Sequence, residues 1–135
     1  MRIFDCFMYF DEEIVLETRF EYLNKYVDYF VIIESRFTHK GDKRNLKFNL
    51  NNFSKFKHKI IYKVHDEVTN KIEKVLDGDD EVTKTRKYIM NALYRENAQR
   101  NYINEGIKNA EDEDIILISD VDEIPNLSKI SFKEI

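Results

Sequence analysis

The sequence predicts an α/β fold, a mostly parallel sheet flanked by helices, in a single domain spanning residues 1–135. Three observations predict it. Four short, nearly continuous apolar runs suit strands buried on both faces. Segments with helical periodicity separate the first pair and the last pair. Hydrophobic residues make up 42% and aromatics 13% of the chain, which provides a core and excludes disorder despite 36% charged residues.

The first run is Ile3 to Phe10. Asp11 follows as the expected helix N-cap, with Glu12 and Glu13 in the first turn, where the helix dipole favours acids. Leu16, Phe20, Leu23 and Val27 then recur at helical spacing, and the helix is expected to end near Tyr26. Tyr29 to Ile33 is the second strand and runs into Glu34-Ser35. Arg36 to Asn52 is polar and reads as a long loop. Lys59 to Val64 is the third strand. The mixed, acidic stretch from His65 to Lys84, with a turn at Asp77-Gly78-Asp79-Asp80, is the segment expected to be most mobile. One long helix is expected from about Thr85 to Ala110. Asp114 to Ser119 is the fourth strand, ending at Asp120-Val121-Asp122.

Composition excludes several classes. The net charge of −4 comes from 22 basic and 26 acidic residues, so no single-sign excess points to nucleic acid or a membrane surface. No apolar stretch is long enough to span a bilayer. The opening residues read as a strand and not as a signal peptide, which makes the cytoplasm the expected location. Cys6 is the one cysteine, so neither an internal disulfide nor a cysteine-built zinc site is available. It reads as a buried, inert thiol. With three glycines in the chain there is no Gly-rich phosphate loop, and no serine nucleophile elbow is present.

Chemistry concentrates at strand ends, where parallel α/β sheets bind ligands. Residues i and i+2 of an extended segment point the same way. Asp120 and Asp122 therefore project together. Two carboxylates about 4 Å apart repel by about 4 kcal/mol at an effective dielectric near 20, and a bound cation removes that cost. Mg²⁺ and Mn²⁺ prefer carboxylate and phosphate oxygens, and a diphosphate approaches two acids only with a metal between them. The competing reading is a solvated loop. A phosphatase with an Asp-x-Asp nucleophile motif fits poorly, because that motif opens its domain and is followed by Gly-Thr, not by Glu123-Ile124.

The long helix places Ile89, Ala92, Leu93, Ile103, Ile107 and Ala110 on one stripe, interrupted by Glu96 and Arg100. This i,i+4 pair is expected to face inward. Either it is a buried structural pair, or Arg100 or the nearby Arg95 faces phosphates, with Asn97, Gln99 and Asn101 as polar groups around it. Glu34 either accepts a hydrogen bond from a base or ribose, or is a plain loop acid. His39, His58 and His65 lack metal-site spacing and are expected at the surface.

Several blocks resemble glycosyltransferase family 17 in order along nearly the whole chain. These are Phe4-Asp5-Cys6-Phe7-Met8-Tyr9 with Asp11-Glu12 and Leu16-Glu17-Thr18-Arg19, then Val27 to Ser35, then Tyr94-Arg95-Glu96-Asn97-Ala98-Gln99-Arg100-Asn101, and last Asp114 to Pro125. The resemblance implies a GT-A-type (Rossmann-like) domain that holds a UDP-sugar donor, with Mn²⁺ or Mg²⁺ at Asp120 and Asp122. It implies inverting transfer of a sugar, N-acetylglucosamine by analogy, to a glycan acceptor. The donor-binding set expected on this basis is Glu34, Arg95, Glu96, Asn97, Arg100, Asp120 and Asp122. In such enzymes the acceptor site and the base usually lie downstream of Asp-x-Asp. The expectation is thus a C-terminally truncated donor half, its catalytic base unknown. A binding module without turnover and a homodimer covering exposed apolar surface are the alternatives.

Overall fold

The computed structural model describes residues 1–132. Strands β1 (Ile3–Tyr9), β2 (Tyr29–Ser35), β3 (Ile60–His65) and β4 (Ile115–Ile118) form one sheet. Its order is β3-β2-β1-β4, and every pairing is parallel. The expected parallel α/β architecture holds throughout.

The sheet separates two apolar layers because successive strand residues point to opposite faces. On one side Ile3, Phe7 and Tyr9 of β1, with Phe30 and Ile32 of β2, pack on Leu16, Phe20 and Leu23 of helix α1 (Glu13–Leu23). On the other side Phe4, Cys6, Val31 and Ile33 pack on Ile103 of the short helix α3 (Ile103–Gly106). Cys6 is fully buried, and burial pushes its thiol up to about 12, the inert state expected for it. Gly106 lets α3 approach closely, because a Cβ there would lie 2.3 Å from Val31 Cγ1.

Four local expectations are corrected. Helix α1 starts after Glu12, not at an Asp11 cap. The Glu12 carboxylate turns back to accept the N–H groups of Phe10 and Asp11. Residues Leu50–Lys59, read partly as loop, form 3₁₀ turns that bury Phe53 and Phe56 against Phe20.

The single long helix is two. Helix α2 (Glu81–Asn101) begins four residues earlier than expected, because Asp80 caps it by accepting the N–H of Thr83 at 2.7 Å. It stops before Tyr102, and α3 continues onto the sheet.

Half of the expected inward stripe holds, since Ile103, Ile107 and Ala110 pack against the sheet, but its α2 part faces outward. Ile89 is 63% exposed and Leu93 43%, and Val82 and Tyr88 are also exposed. The side the helix buries is polar: Asn91 and Gln99, with Arg95 on the same line. These side chains bind loops. Asn91 exchanges both amide hydrogen bonds with the backbone of Glu73, and Lys87 binds the Lys74 carbonyl and Asp79. The stretch from Glu73 to Asp79 is thereby laid along α2. Among the described residues, no helix is long and apolar enough to cross a membrane.

Candidate functional site at the sheet's switch point

The chain steps from β1 to β2 to β3 in one direction, then returns through α2 and α3 to place β4 on the other side of β1. The crevice beyond the carboxyl ends of β1 and β4 is therefore the topological switch point, where open parallel sheets bind ligands. A cleft of about 250 Å³ lies there, lined by Met8, Phe10, Glu12, His39, Glu96, Asp120, Val121 and Asp122.

Local alternation explains the acidic pair. Val121 is 6% exposed and packs in the α1-side core, which turns its neighbours Asp120 and Asp122 outward to solvent. The loop is closed by reciprocal bonds, Glu123 N–H to Asp120 O and Asp120 N–H to Glu123 Oε1, both 2.9 Å. Desolvation, then the nearby charge of Glu123, raises the Asp120 carboxyl above its ordinary value, with Arg100 opposing. The negative charge here is incompletely compensated by protein groups, which suits a cation. Among the described residues, no group of three or more His, Cys, Asp or Glu side chains converges as a metal cage. A metal held by Asp120 and Asp122 would draw its remaining ligands from substrate oxygens and water, as Mg²⁺ commonly does.

Beneath this loop sits Arg19, a residue sequence reasoning did not single out. It is fully buried and paired with the fully buried Asp5 of β1, Nε to Oδ2 at 2.8 Å and Nη2 to Oδ1 at 2.6 Å. Its Nη1 donates to the carbonyls of Asp120 (2.8 Å), Val121 (3.2 Å) and Glu123 (3.0 Å), and Nη2 also donates to Ser119 Oγ at 2.6 Å. The guanidinium lies over the Phe7 ring, 4.6 Å from its centroid. One cation thus fixes the backbone that carries both acids. Two signals could have revealed it: Asp5 is an acid inside an otherwise apolar strand, and Arg19 falls on the apolar stripe of α1, three residues after Leu16. A buried charge needs a partner.

The other expected residues separate into two groups. Glu96 and Arg100 do come to the cleft. They pair at 3.2 Å, and Arg100 Nη2 lies 3.6 Å from Asp120 Oδ1. The pair is partly exposed, at 36% and 43%, and not inside the core, because α2 presents its polar side to the loops.

The remaining expected residues do not line the cleft. Arg95 donates to the His39 carbonyl at 3.0 Å and lines a separate small cavity with Ser35, Gly41 and His65. Asn97 is exposed. Glu34 is fully buried, its oxygens taken by Lys47 N–H, Phe48 N–H, the Tyr62 hydroxyl and Arg44. It anchors residues 44–48 and exposes no surface. Of the histidines, His58 is exposed as expected and the other two depart from the surface expectation. His65 is buried, with its pKa lowered chiefly by burial, and His39 reaches the cleft.

The model of glycosyltransferase family 17 matches residues 1–134. The chain belongs to that family. It is 30% identical over 122 residues to a human beta-1,4-mannosyl-glycoprotein 4-beta-N-acetylglucosaminyltransferase, covering 87% of this chain and 21% of the relative. The rat enzyme of the same description matches equally, with 20% of its length covered. The chain thus spans about a fifth of the length of the curated relatives it matches. No solved structure matches it.

Proposed function

We propose that this family 17 chain binds a UDP-sugar through a divalent cation at Asp120 and Asp122, as the donor-binding part of an inverting glycosyltransferase. The observation that carries the reading is the pair's setting. Two solvent-facing acids stand at the switch point of the sheet, on a backbone held from below by a buried arginine. Asp120 and Asp122 would hold Mn²⁺ or Mg²⁺, which supplies neutralisation of the diphosphate as the nucleotide departs. Arg100, half-exposed beside Asp120, offers a second cation to phosphate oxygens. The names of the relatives support N-acetylglucosamine as the sugar and a glycan as the acceptor.

Calorimetry with UDP and Mn²⁺ tests this. Metal-dependent binding is expected in the wild type and absent in Asp120→Asn with Asp122→Asn. Metal-independent binding, or binding that survives the double substitution, would end the proposal. Arg100→Ala should weaken UDP binding without lowering the melting temperature. The reverse pattern would make its pair with Glu96 purely structural.

A further inference from the structure

His39 stands in the cleft with a hydrogen-bonding state that its neighbours dictate. Gln99 is 2% exposed, and its amide is used at both ends. Nε2 donates to the Phe37 carbonyl at 3.2 Å, and Oε1 lies 3.1 Å from His39 Nε2. A carbonyl only accepts, so the NH₂ end of the amide must face Phe37 and the oxygen must face His39. That oxygen also only accepts. In the neutral imidazole the hydrogen is therefore on Nε2, which leaves Nδ1 with a bare lone pair.

The ring is held as well as oriented. It meets the Phe10 ring edge-on, 5.2 Å between centroids at 88°. Arg95 binds the His39 carbonyl, and its guanidinium lies where a side chain at Gly41 would be, 2.6 Å from the position of a Cβ. Gly41 has φ of +93°, the left-handed region that favours glycine. The α2 face of Arg95 and Gln99 thus presents His39 to the cleft that holds Asp120 and Asp122.

From this geometry we infer that His39 is a positioning residue for the donor, its Nδ1 accepting a hydrogen bond from a sugar hydroxyl. The inference rests on the donor-binding reading above. The chemistry selects the partner. Phosphate oxygens at neutral pH have little hydrogen to give, the cleft beside His39 is lined by the acids Glu12, Glu96, Asp120 and Asp122, and the nearby cation Arg100 is engaged by Glu96 and Asp120. A bare ring nitrogen among acceptors needs a donor, and the hydroxyls of a nucleotide-sugar are donors. They come from two places, the ribose and the transferred hexose.

The test is a long-range ¹H–¹⁵N correlation spectrum of histidine-labelled protein above pH 7.5, which reads the state of each ring nitrogen. Free His39 is expected as the Nε2–H tautomer. On saturation with a nucleotide and Mg²⁺, Nδ1 should shift in the direction of an accepted hydrogen bond while Nε2 keeps its hydrogen. A shift with UDP alone assigns the ribose; a shift only with UDP-N-acetylglucosamine assigns the hexose. His39→Phe, which keeps a ring on Phe10, should weaken the same ligand about 3- to 10-fold, the loss of one hydrogen bond. Gln99→Leu should mix the tautomers.

Protonation of Nδ1 on binding would mean that the ring faces phosphate, and would overturn the inference. An unmoved Nδ1, or an unchanged affinity in His39→Phe, would overturn it too. In these cases calorimetry on the same samples still shows metal-dependent nucleotide binding, so the donor-binding reading stands. Absence of nucleotide binding sinks both.

Discussion

Replacing Arg19 by Met keeps an unbranched side chain as far as the position of Nε and removes the guanidinium and its charge. Asp5 is then left fully buried without a cation, since both of its short contacts to Nε and Nη2 are gone. Breaking a buried ion pair from one side costs about 3–5 kcal/mol. The Val121 carbonyl also loses its donor, a further cost of about 1 kcal/mol or more. The Asp120 carbonyl keeps the N–H of Glu123. The expected loss is therefore at least about 4 kcal/mol, against a total stability of roughly 5–15 kcal/mol for a domain. Urea denaturation followed by circular dichroism measures it.

A second variant separates packing from clamping. Asp5→Leu combined with Arg19→Met removes the stranded charge, so it should recover part of the stability. It does not restore the carbonyl clamp, and metal-dependent UDP affinity should stay below wild type. A loss under about 1 kcal/mol in Arg19→Met would refute the energetic reasoning. Wild-type affinity in the double variant would refute the role of Arg19 in holding the acidic loop.

Three further outcomes are expected. Gly106→Ala should destabilise the fold by about 1–3 kcal/mol in thermal or chemical melts, because the new methyl meets a stiff β-branched side chain at 2.3 Å. A neutral or stabilising result would show that α3 lifts off the sheet freely. The backbone N–H groups of Glu111 and Arg2, together with the Arg2 side chain, hold the Asp114 carboxyl at about 2. A depressed acid stabilises above its unfolded value near about 4 and stops doing so as pH falls toward 2. Asp114→Asn should flatten the dependence of the urea midpoint on pH in that window, and an unchanged slope would contradict this. Glu34→Gln should cost about 2–3 kcal/mol by mismatching the N–H groups and Arg44 around it, with UDP affinity intact. Lost affinity at full stability would return Glu34 to the donor site.

The strands were readable because a strand buried on both faces is nearly all apolar, as β1 and β2 are, and the partly buried edge strands β3 and β4 are still largely apolar runs. Asp120 and Asp122 were readable because alternation about an apolar Val121 is a local rule. Helix α2 was misread for a physical reason. The hydrophobic stripe of a helix predicts its buried face only when that face meets apolar surface. Here Asn91, Arg95 and Gln99, spaced i, i+4 and i+8, turn toward loop backbone, which has hydrogen bonds to satisfy. That polar spacing was visible, but the loops it serves are more than 50 residues distant from Arg95 and Gln99. His39 was missed for the same reason: its importance comes from Gln99, 60 residues away.

The bonds of Arg19 divide sharply by distance along the chain. Its partner Asp5 is 14 residues away, whereas the carbonyls it clamps are 101 to 104 residues away. Closing the longer loop carries the greater entropic cost, though that cost grows only slowly with length. The first pair can assemble from β1 and α1 as soon as they meet. The second set waits for β4 to dock on β1 through its four register pairs. Until then part of the guanidinium has no protein partner, and the acidic loop has no floor. The same docking step that closes the sheet therefore fixes the backbone of Asp120 and Asp122, so a chain stalled before it would have most of its core and no ordered acidic loop.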